Sequence, residues 1–255
     1  MIYLSDILNE TKLPSSEIDV DVYARRYLKT IDYLKNKKRT LLLTTSNRWI
    51  KHAKEDVPKS TQLALKIKDL LGSEKIVHID VPSLQIFPCE GNISSNKKFG
   101  GNHCGTKESE LKDKEKNPSG YHRCWCSINN KSDELWKISS ELFECDAVVF
   151  FASIRWGQAN SYYQKLIERL SWLENRHSTL GESNILKGKD AGFIAVGQNW
   201  NGSNVVKMQQ QVLSFYGFDT PTELFWNWQY TNNELDESKR SYNNAPIVFQ
   251  ETFEL

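Results

Sequence analysis

A chain of 255 residues is long enough for one large domain or two small ones, with a sizeable buried core. Its 33 basic and 32 acidic residues leave a formal charge of +1, which argues against a nucleic-acid binder and against an acidic carrier that docks by charge. No apolar run approaches the roughly 20 residues of a membrane helix, so neither nucleic acid nor membrane is an expected partner.

Residues 1–37 read as an N-terminal helical extension. The opening MIYLSDILNETKLPSS carries Asp6 and Glu10 and lacks both a basic start and a long apolar stretch. No export signal is expected, so the location is cytoplasmic and the five cysteines are reduced. Tyr27, Leu28, Ile31 and Leu34 then predict a helix, ended by Lys35, Lys37 and Lys38. It could pack on the domain or on a second subunit.

Five short apolar runs follow: Thr40–Ser46 (TLLLTTS), Lys75–Val81 (KIVHIDV), Asp146–Ile154 (DAVVFFASI), Ala191–Gly197 (AGFIAVG) and, less cleanly, Thr222–Tyr230 (TELFWNWQY). The first four are nearly continuous rather than alternating, as in strands buried on both faces. Between them lie helical stripes: Leu63, Ile67, Leu70 and Leu71; then Leu135, Ile138 and Leu142; then Tyr163, Leu166, Ile167 and Leu170; then Val205, Met208, Val212 and Phe215. Gly72 and Gly217 stand where C-terminal caps belong. The β-α-β alternation predicts one α/β domain over 38–255, a doubly wound five-stranded parallel sheet with helices on both faces. One stretch breaks the pattern. Pro88–Lys131, after the second strand, is polar, and its aliphatic residues are Ile93, Leu111 and Ile128. It reads as a long insertion.

Ligands of such sheets sit beyond the carboxyl ends of the strands. Three loops there carry candidate chemistry. The first reads TTSNRWIKHAKEDVPKST and enters a helix at Pro58–Thr61. Ser46, Ser60 and Thr61 offer hydroxyls, Arg48, Lys51 and Lys59 offer charge, and a helix start favours an anion. Neither a Walker-type loop nor GxGxxG is present, which favours a single terminal phosphate. Capping alone would also explain Ser60. The second loop spans Ser153, Ile154, Arg155, Trp156, Gly157, Gln158 and Asn160: permissive backbone at Gly157, polar groups for ring edges, and one flat aromatic. The third repeats that chemistry at Gly197, Asn199, Trp200 and Gly202, although turn formation alone also uses such residues. A phosphorylated flat heterocycle satisfies all three loops.

The segment DAVVFFASIRWGQANSYYQKLIERL, with Lys165, Glu168 and Arg169, resembles the flavodoxin-like NAD(P)H-dependent FMN reductases and their iron–sulfur flavoprotein branch. TTSNRWIKHAKEDVPKSTQLALKI is similar to that family's phosphate loop, though longer, and the likeness runs over roughly residues 38–230. The resemblance implies a flavodoxin-like fold and FMN as cofactor. It also implies NAD(P)H as co-substrate, a small-molecule electron acceptor such as a quinone or flavin, and a homodimer or higher homo-oligomer. It places the FMN phosphate at Ser46, Ser60 and Thr61, to which the loop's Arg48 and Lys59 add charge. The ring falls to Ser153, Ile154, Arg155, Trp156, Gly157 and Gln158, with Asn199, Trp200 and Gly202. No protein acid or base is expected. A non-catalytic flavin-binding electron carrier is the alternative. Another is a thiol or zinc module on the same fold, because Cys89, Cys104, Cys124 and Cys126, with His103 and His122, fall within the insertion. Their spacing lacks the tight CxxC of the iron–sulfur branch, so reduced thiols in a flap over the flavin are the expected reading and no metal ligand is assigned. Cys145 reads as core.

Overall fold

The computed structural model describes residues 20–47, 57–91, 104–106, 112–178, 181–197, 200–231, 236 and 238–253. In chain order the elements are α1 (Val20–Lys35), β1 (Thr40–Thr44), α2 (Lys59–Leu71), β2 (Ile76–Asp80), α3 (Trp125–Asn129) and α4 (Leu135–Glu144). Next come β3 (Ala147–Arg155), β4 (Gln158–Ala159), α5 (Ser161–Arg169), α6 (Trp172–Ser178), β5 (Asp190–Val196), α7 (Gly202–Tyr216), β6 (Phe225–Trp228) and α8 (Lys239–Phe253). Among the described residues no helix is long and apolar enough to cross a membrane.

Five strands pair in parallel in the order β2-β1-β3-β5-β6, and the two-residue β4 turns back antiparallel on β3. This is the flavodoxin-like order, with its switch point between β1 and β3. The near-continuous apolar runs divide by pleat, because successive side chains on a strand point to opposite faces. Leu41, Leu43, Val148, Phe150, Phe193 and Ala195 enter one core, beneath α4 to α7. Leu42, Val149, Phe151, Ile194 and Val196 enter the other, beneath α1, α2 and α8. Two covered faces explain why β1, β3 and β5 lack polar alternation.

Three details depart from the sequence reading. β2 is the sheet edge, so Val77–Asp80 are only half-buried, unlike the fully buried strand expected there. On α2, Leu63, Ile67 and Leu71 face the core while Leu70 points to solvent. On α7 the buried stripe is Val205, Val206, Gln209, Leu213 and Tyr216, and the expected Met208 and Phe215 are exposed. The α7 rotation has a polar cause. Tyr163, fully buried, donates its hydroxyl to Gln209 Oε1 at 2.8 Å, so a glutamine holds the inward position.

The N-terminal helix packs on the domain. Tyr27, Ile31 and Leu34 are buried beside Trp228, Phe249 and Phe253, whereas Leu28 is exposed. Thr30 donates to the Glu223 carbonyl at 2.7 Å and accepts from Trp226 Nε1 at 2.9 Å. Lys37 pairs with Asp190 at the start of β5.

Candidate functional site

The carboxyl ends of β1, β3 and β5 surround a cavity of about 300 Å³. Ser46 and Asn47, leaving β1, form one wall with Pro58, Lys59 and Ser60 at the start of α2. The Ser60 hydroxyl donates to Ser46 Oγ at 2.6 Å, and both side chains are buried. Thr61, also buried, holds a hydroxyl with no partner. Pro58 precedes the helix and supplies no side-chain cap. Two buried hydroxyls therefore meet at an uncapped helix start, and the next residue, Thr61, carries a buried hydroxyl with its hydrogen-bonding capacity unused, although Thr61 does not itself line the cavity. A helix N-terminus carries a partial positive charge, so this donor set suits an anion. Arg48 and Lys51, offered as further cations, lie outside the described residues.

Ser153, Ile154 and Arg155 from the end of β3 form the facing wall, with Val196 and Gly197 from β5. Gly197 answers a close approach, because a Cβ there would sit 2.8 Å from Ile154 Cβ. Asn160 joins the two sides of the switch point. Its amide donates to the Thr45 carbonyl at 2.5 Å, and its Oδ1 accepts from the Thr45 hydroxyl at 3.0 Å. Asn160 thus fixes the loops to each other, where the sequence had offered it for reading a ring edge.

Beyond Arg155 the chain makes a two-residue hairpin turn, Trp156–Gly157, into β4. The space beside Gly157 is filled by the protein itself: an added Cβ would meet the Trp200 indole at 2.9 Å. Asn201, just before α7, donates to the Gly157 carbonyl at 2.9 Å, locking the third loop onto the second. Gly202 begins α7 close to Asn227. Gln198 and Asn199 lie outside the described residues. Trp156 and Gln158 line a separate open groove of about 740 Å³, together with Arg155, Tyr162 and Lys165. The hairpin therefore divides the expected ring-binding residues: Ser153, Ile154 and Arg155 face the strand-end cavity, while Trp156 and Gln158 face its neighbour.

The cavity also has walls that the sequence reading missed. Tyr230 follows β6, and Tyr242, Ala245 and Pro246 come from α8. The available signal was the spacing of Ala245, Phe249 and Phe253, all buried on one side of α8. Size does not single this cavity out. A larger one of about 460 Å³ runs along the edge of β6, past Arg26, Lys29 and Lys207. The strand-end position and the buried hydroxyls decide between them.

The insertion brings Cys89, Cys104, Cys124 and Cys126 to one void of about 10 Å³, beside Arg169. That is about the space a single water molecule needs. Arg169 is buried and bonds bidentately to Asp133, at 2.9 and 2.8 Å, with further bonds to the Phe87 carbonyl, Ser127 and Cys124 Sγ. Burial alone would raise the Asp133 carboxyl, but hydrogen bonds from Arg169 and Ser127 outweigh it and hold the group below its ordinary value. Burial, then neighbouring Cys124 and Cys89, push the Cys104 thiol up to about 12. Burial also pushes Cys126 up to about 12, against the opposing pull of Arg169. Among the described residues no group of three or more His, Cys, Asp or Glu is set to hold a metal ion. His122 is buried, with Nδ1 at 2.6 Å from Ser119 Oγ and its ring stacked on Trp136. His103 lies outside the described residues. Cys145 is buried at the end of α4.

No protein-family model matches the chain, and no curated protein matches it. Solved structures with a similar fold include the azoreductase AzrA, at 14% identity over 84% of this chain and 95% of that one, TM-score 0.49. An azoreductase from Bacillus anthracis str. Sterne shares 11% identity over 85% of this chain and 95% of its own, TM-score 0.47. RosB, solved with 8-demethyl-8-formylriboflavin-5'-phosphate, shares 16% identity over 84% of this chain and 75% of its own, TM-score 0.47. At these identities the likeness is one of fold.

Proposed function

We propose that the protein is an FMN-dependent oxidoreductase, passing a hydride from NAD(P)H to a small-molecule acceptor such as a quinone or a flavin. One observation carries the reading. Ser46 and Ser60 meet at an uncapped helix start, at the switch point of a parallel sheet, and the neighbouring Thr61 carries a buried hydroxyl without a partner. An orphaned buried hydroxyl costs about 1–3 kcal/mol, and a phosphate is the ligand that would satisfy it there. These residues fit FMN: Ser46, Ser60 and Thr61 would hold the phosphate, with Lys59 adding charge at the first helical position.

Ser153, Ile154, Arg155 and Gly197 would border the ring. When bound, FMN supplies the hydride chemistry, since a cofactor carries the reaction and the protein supplies position and electrostatics. The chain's own groups have three tasks. Arg155 offers positive charge where the reduced ring gathers negative charge. Asn160 and Asn201 hold the loops after β1, β3 and β5 in fixed relation. Tyr230 and Tyr242 add aromatic walls to the cavity. No side chain is assigned as acid or base.

A homodimer and a cytoplasmic location belong to the same proposal, the first being checked by mass in solution. The reading is tested by adding FMN or riboflavin to the purified protein and recording absorption and affinity. FMN should bind and riboflavin should bind far more weakly. NAD(P)H should then bleach the flavin band, and an added quinone should restore it. Flavin binding without reduction would leave an electron carrier. A colourless protein that takes up neither flavin would end the proposal.

A further inference from the structure

The groove beside the strand-end cavity has its own chemistry. Trp156 stands at the tip of the β3–β4 hairpin, between paired Arg155 and Gln158, with φ +49°. Gly157 follows at φ +68°. Two successive positive φ values make the tight hairpin turn that favours Asn or Gly at its first position. A bulky side chain held there costs about 1–3 kcal/mol. The indole recovers none of this by burial, being 88% exposed. Neither local conformation nor the core accounts for a tryptophan at this point.

The same groove is lined by a second flat ring. Tyr162 contributes it from α5, and the Lys165 ammonium stands 5.1 Å above the tyrosine ring centroid. Among the described residues neither Arg155 nor Lys165 has an ion pair. The one carboxylate in the walls is Glu168. Two aromatic rings, two cations without a carboxylate partner and a volume of about 740 Å³ define the complement of a particular kind of molecule.

We propose that this groove binds a flat aromatic anion, its ring against Trp156 and Tyr162 and its negative group held by Arg155 and Lys165. Arg155 lines both hollows, so the occupant would lie next to the proposed flavin. The binding itself does not rest on the flavin reading.

The probes are naphthoate and its uncharged isostere naphthamide, titrated calorimetrically into the full-length protein with and without saturating FMN. Naphthoate should bind more tightly, and added salt should narrow the difference, because exposed charges are screened. Lys165→Gln should weaken naphthoate about 3- to 10-fold and leave naphthamide unchanged. Trp156→Ala should weaken both about 10-fold. Equal affinity for the two probes, indifference to both substitutions, or absence of millimolar binding would overturn the proposal. So would competition between naphthoate and FMN, which would put both in one cavity. A change of mass in solution on Trp156→Ala would hand the indole to a second copy of the chain and would overturn it as well. If naphthoate behaves as expected while FMN fails to bind, the groove stands and the flavin reading falls.

Discussion

Thr61→Val tests whether the buried hydroxyl next to Ser60 takes part in binding at the strand-end cavity or only in folding. The substitution keeps a β-branched side chain of the same shape in the first turn of α2, where the two residues have similar helix propensity. It deletes a buried hydroxyl that has no hydrogen-bond partner. That hydroxyl costs the ligand-free protein about 1–3 kcal/mol of desolvation. Recovering about 1 kcal/mol should raise the melting temperature by about 2–4 °C for a chain of this size. If FMN binds as proposed, the same deletion would also remove one hydrogen bond to its charged phosphate, worth about 1.5–3 kcal/mol. FMN affinity should therefore fall about 10- to 100-fold, while riboflavin, which has no phosphate, should keep its affinity. Thermal unfolding monitored by circular dichroism, with flavin titration by fluorescence quenching, measures both. The two effects should have opposite signs. A lower melting temperature with unchanged FMN affinity would mean that the hydroxyl has a structural partner and that the phosphate sits elsewhere. Equal losses of FMN and riboflavin would also move the phosphate.

Three further outcomes follow from the packing. Asp133→Asn should cost about 3–5 kcal/mol, since it strands the fully buried Arg169 guanidinium. Because Asp133 titrates below its unfolded value of 3.8, its contribution is complete above that value and is lost as pH falls through the folded one. Urea midpoints measured from neutral to acid pH should thus drop less steeply in the variant; a parallel drop would place the acid sensitivity in other groups. Gly157→Val should destabilise by about 2–4 kcal/mol, from the positive φ and the collision with Trp200, and should shift tryptophan emission. A variant as stable as the parent would show that Trp200 does not rest there. Finally, Cys89 is exposed whereas Cys104 and Cys126 have thiols pushed up to about 12. Iodoacetamide at mildly alkaline pH should label Cys89 in the folded protein well before those two, as peptide mass mapping would reveal. Comparable rates at all three would contradict the burial that raises them.

The alternation of apolar runs and helical stripes carried the fold in the sequence. Each of the five long strands lies within a residue of an apolar run or inside it, because a strand covered on both faces needs no polar positions. Positions whose burial depends on a neighbour were illegible. Leu70 and Phe215 look like core residues and are exposed, while Gln209 looks like surface and is buried. Periodicity registers that a helix has an apolar stripe; which of two adjacent stripes turns inward depends on what lies opposite, here the hydroxyl of Tyr163.

The candidate site divides along the same line. Residue types alone determined where a ligand would be sought: hydroxyls before a helix, and glycine with aromatics after two buried strands. A loop's place on a sheet follows from element order, which local patterning dictates. Only tertiary structure decided how those residues are shared. It joined Ser46 to Ser60, spent Asn160 on holding two loops together, and set Trp200 over Gly157. It also turned Trp156 into a different hollow and brought α8 in as a wall. Those outcomes depend on distances between segments far apart in the chain. Such distances are settled by packing two cores against one sheet, and no local spacing of residues encodes them.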